Sequence, residues 1–282
     1  MDGATALISA LTGYAKQIET VLGKAAAPPA FTAESAFAVQ LERALPQNIE
    51  QGSVDRLREI GNSGRLREIS VVDHLGHQRP IYLPLMLYAW LLNYRQRFET
   101  MPREEFGQWD EALRAWCELL ETTVTQRGAS TPQVAFSALA LYTAGKVFVR
   151  DPWTDLAAGA MGAICQTQQA DGSLLAPDAA VHPEITWYDE LATLHALASY
   201  AVQAEDRSAA GAVARATKFH LHAVQPDHAT AQPFGLFAFI WNEKTRALAD
   251  QILHTLQLRQ PVSDAASLIL LYDCLYCLRL FL

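Results

Sequence analysis

A duplicated polar loop is the feature that most constrains how this chain can fold. The stretch 165–177 reads CQTQQADGSLLAP, and a degenerate copy, LHAVQPDHATAQP, occupies 221–233. Three positions recur 56 residues further along the chain: Gln169, Asp171 and Pro177 correspond to Gln225, Asp227 and Pro233. Because the segments around both copies have helical periodicity, the chain is predicted to repeat a helical hairpin, with the two loops on one rim of a ring or arc.

Apolar residues spaced by i, i+3, i+4 and i+7 predict an all-α protein. Helices are predicted at 4–24, 33–45, 80–99, 103–126, 132–149, 153–169, 186–203, 207–223, 234–257 and 263–282, with a break near Asn242. We expect one domain over 1–282, in which 25–79 is a linker and lid-like excursion and 80–282 is the main hairpin array. The hairpins are expected to close into an (α/α)5–6 toroid whose inner helices line a central cavity.

The overall charge restricts the partners. The formal net charge is −8, and no run of Lys and Arg is present, which disfavours nucleic acid and anionic membrane surfaces. The apolar runs are too short to span a membrane and no secretory signal is recognised at residue 1, so a cytoplasmic location is predicted. Cys274 and Cys277 lie in an apolar helix and are predicted to be free, buried thiols. The oligomeric state stays open.

The segment Gln169-Ala170-Asp171-Gly172-Ser173 resembles the Q-x-x-D-G-S element of the terpenoid cyclase and protein prenyltransferase superfamily. The resemblance implies an α/α toroid in which Gln169, Asp171 and Gly172 staple neighbouring hairpins. It covers the repeat loops only. The tryptophan that ends the family element is a leucine here, and neither the D-x-D-D acid nor the zinc-ligand pattern is found.

The densest group of chemistry-bearing residues lies between 182 and 195, where an inner helix is predicted to begin. Tyr188, Asp189, Glu190 and His195 are the candidate catalytic residues, since they combine a hydroxyl, two carboxylates and an imidazole on successive turns. His182 and Trp187 are candidate substrate-binding residues, together with His74 and His77 from the lid-like excursion. The alternative is structural: caps, dipole-compensating acids and satisfied core groups.

Three functions are compatible with these patterns. The first is a terpenoid-cyclase-like lyase or isomerase that applies acid–base chemistry to an isoprenoid or cyclic small molecule in the central cavity. The second is a toroid glycan lyase or hydrolase, and the third is a non-catalytic helical-repeat scaffold or degenerate toroid. No cofactor and no metal is predicted, because a metal site needs three or four converging ligands. His220 and His222 are interpreted as polar residues at a helix C-terminus.

Overall fold

A computed structural model describes residues 3–23, 81–97, 103–125, 128–176, 183–223, 232–258 and 265–282. Within these ranges all regular secondary structure is helical, with ten α-helices, one 3₁₀ helix and no strand. The helices are α1 (Gly3–Gly23), α2 (Tyr82–Arg97), α3 (Arg103–Thr125), α4 (Thr131–Phe148), α5 (Asp151–Thr167), α6 (Pro183–Gln203), α7 (Arg207–His222), α8 (Leu236–Trp241), α9 (Arg246–Leu258) and α10 (Ala265–Arg279). The all-α prediction is confirmed for the described residues. The helix predicted at 33–45 lies outside them, and closure into a toroid stays a prediction.

The break predicted near Asn242 separates α8 from α9. Asn242 has an extended backbone (φ −95°, ψ 115°), and its side chain accepts a hydrogen bond from the N–H of Lys244. The 3₁₀ helix Glu243–Thr245 follows directly. Asparagine competes with the helix by bonding its own backbone, which explains why the helix ends and restarts there.

The described residues form two compact units. The first unit comprises those within 1–26, 161–263 and 270–282, and the second those within 27–160 and 264–269. In the first unit α6 packs against α7 and α8, while α1 packs against α8 and α9. In the second unit α4 packs against both α2 and α3, which also contact each other.

Helix α6 supplies much of the core of the first unit. Every residue from 190 to 201 is buried, so this helix is covered on all sides rather than along one stripe. Helix α7 is amphipathic by contrast, with alanines and Val213 inward and charged residues outward. Its first turn is capped by Asp206, whose carboxylate accepts the N–H groups of Ser208 and Ala209.

Among the described residues, no helix is both long enough and apolar enough to cross a membrane. All four cysteines are unpaired, and Cys274 and Cys277 are fully buried, as predicted.

Candidate functional site

The loop that follows α5 is built around Asp171. Its Oδ1 accepts hydrogen bonds from the backbone N–H of Ser173 (2.9 Å) and from the hydroxyl of the same residue (2.8 Å). These two donors lower the pKa of the Asp171 carboxyl. An aspartate in a turn before glycine commonly accepts a backbone N–H in this way.

Gln168 joins this loop to α7. Its Nε2 donates to the carbonyl oxygens of Gly172 and Ala212, both at 2.9 Å, and its Oε1 accepts from Nε of Arg215 at 2.8 Å. Gln169, which was expected to make the staple, donates instead to the carbonyl oxygen of Thr167. Gln168, rather than Gln169, has the Q-x-x-D-G spacing relative to Asp171 and Gly172.

Gly172 permits the close approach of this loop to α7. Its φ is +98°, a conformation that favours glycine, and a Cβ there would lie 2.6 Å from the carbonyl oxygen of Arg215. Any side chain at this position would force the loop and α7 apart. The role expected of Gly172 in holding neighbouring segments together is consistent with this geometry.

Glu190, a candidate catalytic residue, holds the same loop from the other side. Its carboxylate accepts the backbone N–H groups of Leu174 (2.6 Å) and Leu175 (2.8 Å), and the side chain is only 3% exposed. Burial raises the pKa of Glu190 to about 7, although the two N–H donors favour the ionised form. Glu190 thus fastens the loop to α6 while its protonation state is poised near neutrality.

Trp187 lies in an aromatic cluster between α6 and α7. Its ring contacts His220 edge to face, with the ring centroids 5.0 Å apart, and Phe219 at 6.4 Å. The imidazole of His220 also meets Phe239 at 5.7 Å, and both of its nitrogens lack a hydrogen-bond partner. Burial lowers the pKa of His220 to about 3, so this ring is neutral. Trp187, predicted to bind substrate, is therefore packed against a second helix.

The other predicted site residues are placed as follows. Tyr188 is buried and Asp189 is half-buried on α6, and the backbone oxygen of Asp189 accepts the hydroxyl of Thr193 at 2.7 Å. His182, His74 and His77 lie outside the described residues. The same is true of Gln225 and Asp227, so the equivalence of the two repeat loops stays a prediction.

His195 is part of a buried polar cluster that the sequence did not reveal. Its Nε2 lies 2.9 Å from Oδ2 of Asp273 on α10, and the two side chains are 0% and 1% exposed. The hydroxyl of Ser199, one turn further along α6, donates to the same carboxylate oxygen. The thiol of Cys277 approaches the other oxygen at 3.8 Å. An imidazole, a carboxylate and a hydroxyl therefore share one water-excluded site, which we call the His195 cluster.

An apolar groove of about 220 Å³ opens at one end of the same helices. Helix geometry relates it to the His195 cluster. His195, Ser199 and Val202 are spaced i, i+4 and i+7 along α6, and Val202 lines the groove. The lining residues are Ala198, Ala201, Val202, Glu205, Asp206, Arg207, Ala210, Val213, Phe237, Ala238, Trp241 and Phe281.

Asp273 and Cys277 are spaced i, i+4 on α10, and Phe281, another groove residue, lies two residues beyond the end of that helix. Ser199 precedes Val202 by three residues, about 4.5 Å of helix rise. Tyr188, Asp189 and His195 do not themselves line this groove. Their access to a central cavity stays a prediction.

No group of three His, Cys, Asp or Glu side chains in the described part of the chain converges closely enough to hold a metal ion. Family models, characterised protein sequences and solved structures yield no match to this chain. A functional proposal therefore depends on the chemistry of these residues and on their arrangement.

Proposed function

We propose that this protein binds an apolar small molecule in the groove and transforms it by acid–base chemistry, as a terpenoid-cyclase-like lyase or isomerase would. The His195 cluster is the observation that carries the proposal. Burying a carboxylate and an imidazole is costly, and apolar side chains of similar volume would pack two helices at least as well. Buried titratable groups with a charge partner are typical of functional sites.

The reaction we infer is a proton transfer without net change. Neither His195 nor Asp273 lines the groove, so the inferred step requires the wall of the groove to open to this pair when the ligand binds. A proton held by the pair His195–Asp273 then adds to a carbon–carbon double bond of the ligand. The resulting cation loses a proton from a neighbouring carbon, and that proton returns to the pair. The product is an isomer of the ligand, so the step needs no co-reactant.

The lining of the groove favours an isoprenoid or cyclic hydrocarbon portion over a sugar. Its wall is formed by alanine, valine and aromatic side chains, with Trp241 and Phe281 in contact at 4.0 Å between ring centroids. Polar residues are confined to Glu205, Asp206 and Arg207. A glycan site would need paired carboxylates facing one cleft. Of the two carboxylates in this groove, that of Asp206 is already bonded to the N–H groups of Ser208 and Ala209 as a helix cap.

Binding is tested with the neutral fluorophore N-phenyl-1-naphthylamine. Ala210 is exposed and lines the groove, so Ala210→Trp should fill the space and abolish the fluorescence enhancement. Ala214 is equally exposed one turn along α7 and lies outside the groove, so Ala214→Trp should bind the probe normally. Failure of the natural protein to bind the probe, or equal losses in both variants, would refute the groove as the ligand site.

Chemistry is tested by incubating the protein with linear isoprenoid alcohols and hydrocarbons and searching for isomers by gas chromatography and mass spectrometry. His195→Gln should abolish product formation while probe binding is retained. Probe binding without any isomer from the natural protein would refute the acid–base step. The non-catalytic interpretation would then be preferred, since Glu190 and Trp187 already have packing roles.

A further inference from the structure

A second cavity, of about 370 Å³, lies between the loop after α5 and one face of α7. Arg215, Lys218 and His222 contribute to its wall, and their spacing of i, i+3 and i+7 places them on one stripe of the helix. We propose that this cavity, which we call the basic pocket, binds the phosphate group of a small molecule. The proposal is independent of the apolar groove and of the chemistry suggested for the His195 cluster.

The charge of the basic pocket is opposite to that of the chain as a whole. The protein has 30 acidic and 22 Lys and Arg residues, yet two permanent cations and an imidazole gather in this cavity. Lys218 and His222 form no ion pair with another described residue, so their charge and donors are available to a ligand. Three donor side chains on one stripe suit a group with three acceptor oxygens.

The guanidinium of Arg215 is oriented before any ligand arrives. Its Nε donates to Gln168 at 2.8 Å, and Gln168 is itself fixed by bonds to Gly172 and Ala212. These bonds use the Nε–H and leave the terminal nitrogens for a bidentate contact with an oxyanion. Fixing the side chain in advance reduces the entropy lost on binding. The loop staple therefore also positions a phosphate-binding arginine.

The shape of the loop keeps the pocket open. Gly172 has no side chain to enter it, and the ring of Phe219 provides an apolar wall against which the rest of a phosphorylated molecule can lie. A volume of about 370 Å³ is within the range of small-molecule sites.

Two features oppose an anion and limit the affinity. Asp171 also lines the pocket, and its lowered pKa keeps it ionised at neutral pH. Its Oδ1 is directed to the N–H and hydroxyl of Ser173, so part of its charge is already compensated. The C-terminal end of α7, near His222, carries the negative end of the helix dipole. The expected affinity for a bare phosphate is therefore modest and strongly dependent on salt.

The test measures the binding of inorganic phosphate and pyrophosphate by isothermal titration calorimetry at low ionic strength. Lys218→Gln should weaken binding about tenfold, as expected for the loss of a charge-assisted hydrogen bond, and Arg215→Gln should weaken it at least as much. Gln168→Leu should weaken it less, since the guanidinium remains but is no longer held. Lys218→Gln leaves the loop staple intact, so its result does not depend on the structural role of Arg215.

Matched control variants each remove one positive charge at a position outside the basic pocket. Arg207→Gln, at the start of α7, and Lys244→Gln, in the 3₁₀ helix, alter exposed cations outside the basic pocket. Both should bind pyrophosphate within about twofold of the natural protein, because a distant exposed charge contributes little at one site. Absence of pyrophosphate binding by the natural protein up to about 10 mM would overturn the proposal, because the dissociation constant would then be weaker than millimolar. So would equal losses in the control variants, which would indicate non-specific charge attraction.

Discussion

The cores of the two compact units differ in polarity. All four buried acidic or imidazole side chains of the described residues, Glu190, His195, His220 and Asp273, lie in the first unit. The buried polar side chains of the second unit are the hydroxyls of Ser137, Thr143 and Ser267. A hydroxyl can return its hydrogen bond to its own helix, as Thr143 does to the carbonyl of Leu139. A buried carboxylate or imidazole needs a partner from another segment or must stay neutral.

This difference locates where function and pH sensitivity should appear. In the second unit, the described charged side chains are exposed or half-buried. Two guanidinium groups lie on aromatic faces: that of Arg114 is 4.3 Å from the ring centre of Phe148, and that of Arg150 is 4.4 Å from that of Trp153. Such contacts stabilise without titrating near neutrality. We therefore expect acid–base behaviour to be a property of the first unit.

The largest effect is expected for Asp273→Ala. The substitution removes the common acceptor of His195 and Ser199 and leaves both buried, so the free energy of unfolding should fall by about 3–5 kcal/mol. The exposed Asp250, which accepts the hydroxyl of Tyr14 at 2.7 Å, is the control in the same unit. Asp250→Ala should cost about 1 kcal/mol. If urea denaturation shows similar losses in the free energy of unfolding for both variants, the buried His195 cluster contributes no more to stability than an exposed hydrogen bond does.

Glu190→Gln comes next and tests pH dependence. The folded-state pKa of about 7 lies above the ordinary value of 4.5. The stability contributed by Glu190 is therefore fully present below about pH 4.5 and is lost as the pH rises through 7. A pKa shift of this size changes the free energy of unfolding by about 3 kcal/mol at most. The glutamine variant should gain stability relative to the natural protein as pH rises from 4.5 to 8.

The matched control for this measurement is Glu184→Gln, an exposed glutamate in the first turn of the same helix. The difference in the free energy of unfolding between this variant and the natural protein should vary by no more than a few tenths of a kcal/mol over that pH range, because the charge is exposed. If Glu190→Gln behaves in the same way, the buried carboxylate does not titrate near neutrality.

Much of the fold follows from local sequence, whereas most of the polar cluster does not. Helical periodicity and the Asn242 break are local signals, and so is the turn at Asp171, whose partner is two residues away. The hydrogen-bond partner of Ser199 is 74 positions away in the chain, and Gln168 and Arg215, which are hydrogen-bonded, are 47 positions apart. Asp273 lies in a helix so apolar that it gave no indication of a site.

The 182–195 cluster shows the same limit. Its composition pointed to a concentration of polar side chains near a helix start, but composition could not assign their partners. Glu190 bonds to the backbone of Leu174 and Leu175, which no side-chain pattern marks. His220 was interpreted as a dipole-compensating residue at a helix end, yet it is neutral and buried among aromatic rings. Only the packing of α7 against α6 decides that outcome.

An opposite pH effect, smaller when measured only down to pH 5, is expected from His220. Its folded-state pKa of about 3 lies below the ordinary 6.5, so its contribution is complete above pH 6.5 and is lost as the pH falls toward 3. At pH 5 the loss should be about 2 kcal/mol. His220→Phe should remove it and flatten the acid limb of a stability curve measured by thermal unfolding. The exposed neighbour variant His222→Phe should leave that limb unchanged, and parallel curves for both variants would contradict the assignment.

The smallest change in the free energy of unfolding is expected in the second unit, where a substitution should stabilise the protein rather than destabilise it. Val149 ends α4 in the left-handed conformation (φ 51°, ψ 54°) while 87% exposed, an unfavourable combination for a β-branched residue with few contacts to offset the strain. Val149→Gly should therefore raise the free energy of unfolding by about 1 kcal/mol, measured in urea. Val134→Gly, in the first turn of the same helix, should lower it by about as much. If Val149→Gly also destabilises, the exposed valine makes contacts that outweigh its strain. A gain that does not vary with pH would sharpen the contrast with Glu190 and His220, whose effects depend on protonation.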